Sequence, residues 1–293
     1  MGEHTTGTAR LQIIATAVLF STGGAAVKLA DGMTGLQVAG FRSVVAVAAI
    51  ILLVPASRRG WTWHTLLVAV AYAATLITFV TANKLTTAAN AIFLQETSLV
   101  YVLLIGPVFL RERLRLLDVV TIAVFLGAIG AFFLDPGNAT QTASNPALGN
   151  VLALASGVGW ACTVAGLRWL GRSRGSGHAA AAAVAGNLVA AIACIPFALT
   201  VTAGVGDWVT VVYLGVFQIG LAYAFFTRAM PRVPAVQASL LLMLEPALSP
   251  VWAWILHGER PGPWALAGGA VIVIGTAVWS VLDVRMARTG VVA

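Results

Sequence analysis

Residues 88–104, AANAIFLQETSLVYVLL, and residues 235–251, AVQASLLLMLEPALSPV, carry the reading of the fold. Both are long, almost uninterrupted apolar runs, without the two-residue alternation of a membrane barrel strand and well beyond its length of about ten residues. They read as helices that cross a bilayer. At an offset of 147 they pair Asn90 with Gln237 and Ala91 with Ala238, and the same register carries Glu112-Arg113 onto Glu259-Arg260. The chain therefore holds two copies of one helical unit.

Working outward from these runs, apolar segments bounded by charge, Pro or Gly fall near 12–30, 34–54, 62–83, 87–110, 117–134, 147–168, 178–202, 208–229, 234–256 and 263–282. Ten spans divide into five per copy. An odd number forces the second copy to enter the membrane upside down, the inverted-repeat arrangement that places a site near the midplane between the copies. The expected fold is an all-α integral membrane protein with ten transmembrane helices, as two inverted five-helix repeats around a central cavity. Its units are a first repeat over 11–134, an outer linker over 135–146, a second repeat over 147–282 and a cytoplasmic tail over 283–293. The linker is rich in Pro, Gly, Asn, Thr and Ser and has neither Lys nor Arg.

Composition points the same way, because 59% of the 293 residues are hydrophobic and only 9% charged. Soluble domains carry roughly 25% charged residues, and so few charges could not cover an aqueous surface. The net charge of +7 does not come from a nucleic-acid-binding stripe, because Lys and Arg are scattered in ones to threes between apolar runs. It comes from topology. With both ends inside, thirteen arginines fall on the cytoplasmic side (10, 58, 59, 111, 113, 115, 168, 172, 174, 228, 232, 285 and 288), against Lys28, Lys84 and Arg260 outside. That is the bias expected of cytoplasmic loops. Only Arg10 precedes the first run, which lacks a convincing small-x-small cleavage site and leads into another span, so the first helix is expected to be retained. Cys162 and Cys194 sit in apolar runs without a CxxC or His partner and read as small core residues.

The stretch LEPALSPVWAWILHGERPGPWALAGGAVIVIGTAV, with Glu245-Pro246, Gly258-Glu259-Arg260 and the Gly268-Gly269 to Gly275 spacing, resembles the end of an EamA-type repeat. PVFLRERLRLLDVVTIAVFLGAIG at 107–130 is a weaker version of the same signature, and Phe41-Arg42 is similar to the Phe/Leu-Arg pair common in the second span of that family. In the second half Gly186-Asn187 stands near that place, so the arginine is not duplicated. The resemblance covers essentially the whole chain and implies the drug/metabolite transporter superfamily, with ten helices around a cavity. Its bacterial members commonly export amino acids. Length and helix count are similar to those of broad exporters of the YddG type, which handle aromatic residues among others. The resemblance implies a bacterial inner-membrane location.

Ionisable groups inside spans are costly and mark functional candidates. Here they are Arg42, Glu96 and Glu245, with Lys28, Lys84 and Arg228 near span ends. Glu96 is too deep to snorkel; it could take a substrate ammonium or a coupling proton, or pair with Arg42 or Lys28 structurally. Glu245 precedes Pro246, whose ring can open the helix at mid-membrane, so Arg42, Glu245 and Pro246 are assigned gating or structural roles. Asn90, Phe93, Thr97 and Tyr101 share one helical face, and Gln237 opens the matching face in the second copy. Tyr72, Leu76, Phe79 and Asn83 share a face of the third span, and Ile219, Tyr223, Phe226 and Met230 share its counterpart in the eighth. Phe20 and Trp160 correspond at an offset of 140, each beside small residues. The expected substrate-binding set is Phe20, Tyr72, Phe79, Asn83, Asn90, Glu96, Tyr101, Trp160, Tyr223 and Gln237. Packing, lipid contact and helix–helix hydrogen bonding are the competing uses of the same residues. Glu112 and Glu259 read as structural acids that favour the next helix's N-terminus and neutralise the adjacent Arg.

The leading expectation is export of amino acids, aromatic ones included, by alternating access, with protons as a candidate coupling ion and the protein a monomer or weak dimer in lipid. Efflux of lipophilic or quaternary cations, with Glu96 as counter-charge, is the alternative. A membrane enzyme is remote: His4, His64, His178 and His257 are dispersed, and neither HExxH nor paired carboxylates occur. No cofactor or metal is expected.

Overall fold

The computed structural model describes residues 2–86, 88–131, 144–258 and 262–289. Its helices in chain order are α1 (Gly2–Ser21), α2 (Gly23–Leu29), α3 (Gly35–Leu53), α4 (Trp63–Leu85), α5 (Ala88–Gln95), α6 (Ser98–Phe109), α7 (Leu116–Ala131), α8 (Pro146–Arg174), α9 (Ser176–Cys194), α10 (Val205–Tyr213), α11 (Ala222–Ala229), α12 (Ala235–Leu242), α13 (Leu244–His257) and α14 (Pro263–Thr289). Among the described residues nine helical stretches are long and apolar enough to span a bilayer, and the shorter Leu116–Ala131 makes a tenth. The structure is an all-helical ten-span membrane protein. Most of the linker, and Glu259 and Arg260, lie outside the described residues.

Capping sets where helices begin. Thr34 and Gln37 exchange side-chain and backbone hydrogen bonds at the start of α3, Thr62 and Thr65 do so at α4, and Asn145 accepts from Leu148 N at α8. Bare alkyl chains cover the outside: Val108 is 85% exposed, Leu199 89% and Val205 82%. Such a surface is stable against lipid and not against water. Trp61, Trp63, Trp208 and Trp264 are exposed at span ends, where indole favours the membrane interface.

Close approach organises the interior. Gly159 abuts Thr75 and Gly166 abuts Val68, so that α8 lies along α4 with almost no side chain between them. A Cβ at Gly159 would sit 2.5 Å from the Thr75 hydroxyl. Small residues are what permits such contact in a bilayer, where dispersion rather than water expulsion drives helix association.

Four spans are irregular near their middle. The first breaks at Thr22, between α1 and α2; the fourth breaks at Glu96-Thr97, between α5 and α6; and the ninth breaks at Met243, between α12 and α13. The eighth passes through a π-helical segment, Leu214–Leu221, between α10 and α11. Sequence reading expects the ninth span to open at Pro246. The break instead precedes it by three residues, because Pro246 has no N–H for the Leu242 carbonyl while being tolerated in the first turn of a new helix.

Candidate functional site

The irregular spans converge on one mid-membrane cavity of about 380 Å³, counting its open mouth. Its aromatic wall is Phe20, Tyr72, Phe79, Trp160 and Tyr223, its aliphatic part is Leu76 and Ile219, and its polar part is Arg42, Thr75, Gln95, Gln218 and Glu245. Four of the rings touch in succession: Tyr72 and Tyr223 are 4.7 Å apart between centroids, Phe20 and Tyr223 5.6 Å, and Phe20 and Trp160 6.0 Å. Phe226, further along α11, stacks on Trp160 at 5.9 Å behind the cavity wall. Aromatic pairs at these separations favour edge and offset contacts, which hold the rings in place.

Arg42 and Glu245 are drawn into this cavity from gating or structural assignments. Arg42 is 2% exposed and donates from Nη1 to Gln218 Oε1 at 3.2 Å, while its Nε is buried without a partner. The anticipated Glu96–Arg42 pair does not form: among the described residues no carboxylate lies within ion-pair distance of Arg42, whose Nη1 donates to Gln218. Glu96 sits at the break of the fourth span and is 6% exposed. It is buried beside the cavity, not on its wall. Pro246 is buried one residue beyond Glu245.

Other expected site residues lie elsewhere. Asn83 is 1% exposed and donates to Phe79 O at 3.3 Å, a bond within its own helix. Asn90 donates to Thr86 Oγ1 at 3.5 Å, and Tyr101 is half-buried against the core. Gln237 lies at the N-terminal face, accepting from Arg10 and donating to Asp283 Oδ1 at 3.4 Å. None of these four lines the cavity. Gln95, Gln218 and Thr75 were not singled out from the sequence, although an amide in mid-span is itself a signal. Gln218 escapes a search at spacings of three and four because the wide π-helical turn brings it onto the face of Tyr223, five residues on.

Two polar clusters stand at the N-terminal face. In one, Asp283 on α14 takes both Arg10 and Arg115. Arg115 also chelates Asp118 with bonds of 3.0 and 2.9 Å, and Trp279 donates to Asp118 at 2.9 Å. In the other, Glu112 binds Arg168 Nε at 2.7 Å and accepts from Ala235 N at 2.8 Å. This revises the expected role of Glu112: it caps α12, in the other half of the chain, and neutralises Arg168 rather than the neighbouring Arg113. Both clusters join the two halves.

Comparison with known proteins agrees with this geometry. The EamA-like transporter family matches residues 8–134 and again 147–281. The threonine/homoserine exporter RhtA of Escherichia coli K12 is 32% identical over 173 residues, 55% of this chain and 54% of that protein. RhtA of Salmonella typhimurium LT2 is 32% identical over 146 residues, 46% of each chain. The match thus spans about half the length of these curated relatives. The quaternary ammonium compound-resistance protein QacF of Klebsiella aerogenes is 38% identical over 69 residues, 22% of this chain and 59% of that protein. A solved crystal structure at 21% identity superposes with a TM-score of 0.79 over 96% of this chain and 99% of its own, showing the shared fold. With two five-span halves around a mid-membrane cavity and both halves matched, this chain is a transporter, not an enzyme, and belongs to the EamA-like transporter family.

Proposed function

We propose that this transporter exports amino acids across a bacterial inner membrane, with a broad range that includes aromatic ones, by alternating access of its two repeats. The observation that carries the reading is the cavity itself, which sets the guanidinium of Arg42 and the carboxyl group of Glu245 among five aromatic rings. An amino-acid zwitterion needs both signs, and the rings suit an apolar or aromatic side chain. The matched stretch of the threonine/homoserine exporters supports the same substrate class.

The N-terminal face is cytoplasmic by its arginine bias, and the Asp283 and Glu112 clusters, which tie the two halves together there, form its gate. Loading from the cytoplasm requires them to open while the opposite side closes. Phe20, Tyr72, Phe79, Trp160 and Tyr223 are the substrate walls; Glu96, buried beside Glu245, is the site for a coupling proton. Asn83, Asn90, Tyr101 and Gln237 act in packing and closure. The working unit is a monomer or weak dimer.

A second reading, efflux of lipophilic cations with Glu96 as counter-charge, is favoured by the short match to QacF. A buried arginine in the cavity wall opposes it, because a cation entering beside Arg42 meets like charge. Liposomes containing the purified protein and loaded with unlabelled amino acids decide between them. Saturable uptake of labelled phenylalanine, threonine and lysine is expected, and faster uptake under a proton gradient would mark coupling. Uptake of tetraphenylphosphonium with no amino-acid flux would replace the first reading by the second.

A further inference from the structure

We infer that Arg42 is the carboxylate receptor of the cavity, binding a substrate carboxylate through the guanidinium donors that Gln218, held on Nη1, leaves without a partner. The inference rests on the amino-acid reading above and goes beyond it, because it makes the carboxylate the obligatory group for recognition. Three observations meet at this residue. The guanidinium is 2% exposed, lies in the cavity wall and, among the described residues, has no carboxylate within ion-pair distance. Its hydrogen bonding is incomplete in a directional way: Nη1 donates to Gln218 at 3.2 Å, whereas Nε is sealed from solvent without an acceptor. Its other polar neighbours are the Tyr72 and Tyr223 hydroxyls and the Cys194 thiol, none of which supplies a negative charge at neutral pH.

A buried guanidinium without a counter-ion is expensive, and its planar donor fork matches a carboxylate in two parallel bonds. Gln218 fixes the rotation of that fork. It is itself clamped, because the Gly23 backbone comes so close that a Cβ there would lie 2.8 Å from the Gln218 amide nitrogen. A break in the first span and a π-helical segment in the eighth thus converge to aim one arginine. Gln218 is a positioning residue and Arg42 the binding residue.

The test compares ligands that differ in one group. Thermal stabilisation of the purified protein is measured with phenylalanine, 3-phenylpropionate, phenylalaninol and phenethylamine, and each is also tested as a competitor of phenylalanine counterflow. The two carboxylates are expected to stabilise and compete, and the alcohol and amine to do so about ten- to a hundredfold more weakly, the value of losing a charge-assisted bidentate contact. In Arg42→Gln and Arg42→Lys that difference between carboxylates and amines should shrink, Lys retaining more of it than Gln, with the KM for phenylalanine raised. If phenylalaninol and phenethylamine bind the wild-type protein as well as phenylalanine does, the inference is overturned, whether or not the variants fold. If no amino acid is transported but 3-phenylpropionate still stabilises the protein in an Arg42-dependent way, the amino-acid reading fails while the carboxylate receptor stands.

Discussion

The fourth and ninth spans are copies of one helix, and both break at the same place by different chemistry. Residue 96 plus the repeat offset of 147 is residue 243, and the two interruptions stand at Glu96-Thr97 and Met243. In the fourth span the Leu94 carbonyl accepts a three-residue bond from Thr97 N at 3.3 Å and a second bond from the Thr97 hydroxyl at 2.7 Å. In the ninth, Pro246 removes the donor that would have continued the helix. One copy accepts the break by adding a hydroxyl, the other imposes it by deleting an N–H. The acids do not follow the register either: Glu96 aligns with Met243, and Glu245 with Ser98. The shared break is therefore a property of the repeat, whereas the charges beside it are individual and serve the one asymmetric site between the copies.

The largest expected effect comes from the residue that ties these two spans together. Glu112, just past the fourth, caps the first helix of the ninth and neutralises Arg168, whose side chain is 9% exposed. Glu112→Gln should lower unfolding stability by about 3 kcal/mol, the cost of leaving a buried charge unpaired, read by thermal denaturation in detergent. A change within about 0.5 kcal/mol would mean that the cluster is slack.

The two acids should separate next. Because Glu245 lines the cavity and Glu96 stands behind it, Glu245→Gln should raise the KM for amino acids about tenfold, roughly one charge-assisted bond. Glu96→Gln should leave KM within about twofold while removing any stimulation by a proton gradient. Equal KM effects from both would erase the distinction drawn between the copies.

The smallest effect lies in the breaks themselves. Thr97→Val deletes the hydroxyl that serves Leu94 and should cost about 1 kcal/mol, measured by the same denaturation. Pro246→Ala restores a donor and should be neutral or slightly stabilising, with slower transport if the break is a hinge. A larger loss from Pro246→Ala than from Thr97→Val would show that the second break is packed rather than hinged.

Span number, the two-copy pattern and the aromatic wall were legible because they depend on hydropathy, odd span count and helical spacing, which act locally. Phe20 and Trp160, at matching places in the first and sixth spans, do meet, as do Tyr72 and Tyr223 from the third and eighth. Gln237 could not be placed by the same rule. Its face is correct for the repeat, but it falls at the end of the span nearest Asp283, where depth rather than face decides its partner. Gln218 was hidden for a different reason, since a π-helical turn shifts the register by one residue and a sequence gives no direct sign of where it occurs. Glu112 shows a third limit: its partner helix, α12, begins 123 residues further along the chain. Such pairings follow from tertiary packing, which a single sequence does not display.

That amino acids cross the membrane through this cavity is tested most directly by thiol labelling at Thr75, a wall residue of α4. Thr75→Cys, placed in a variant with Cys162 and Cys194 replaced by Ala, is exposed to a membrane-impermeant maleimide with and without phenylalanine. Labelling that falls in a saturable way as phenylalanine is added, with the same half-effect concentration as counterflow, is the predicted result. Labelling indifferent to every amino acid that the protein transports would contradict the account and move the pathway elsewhere.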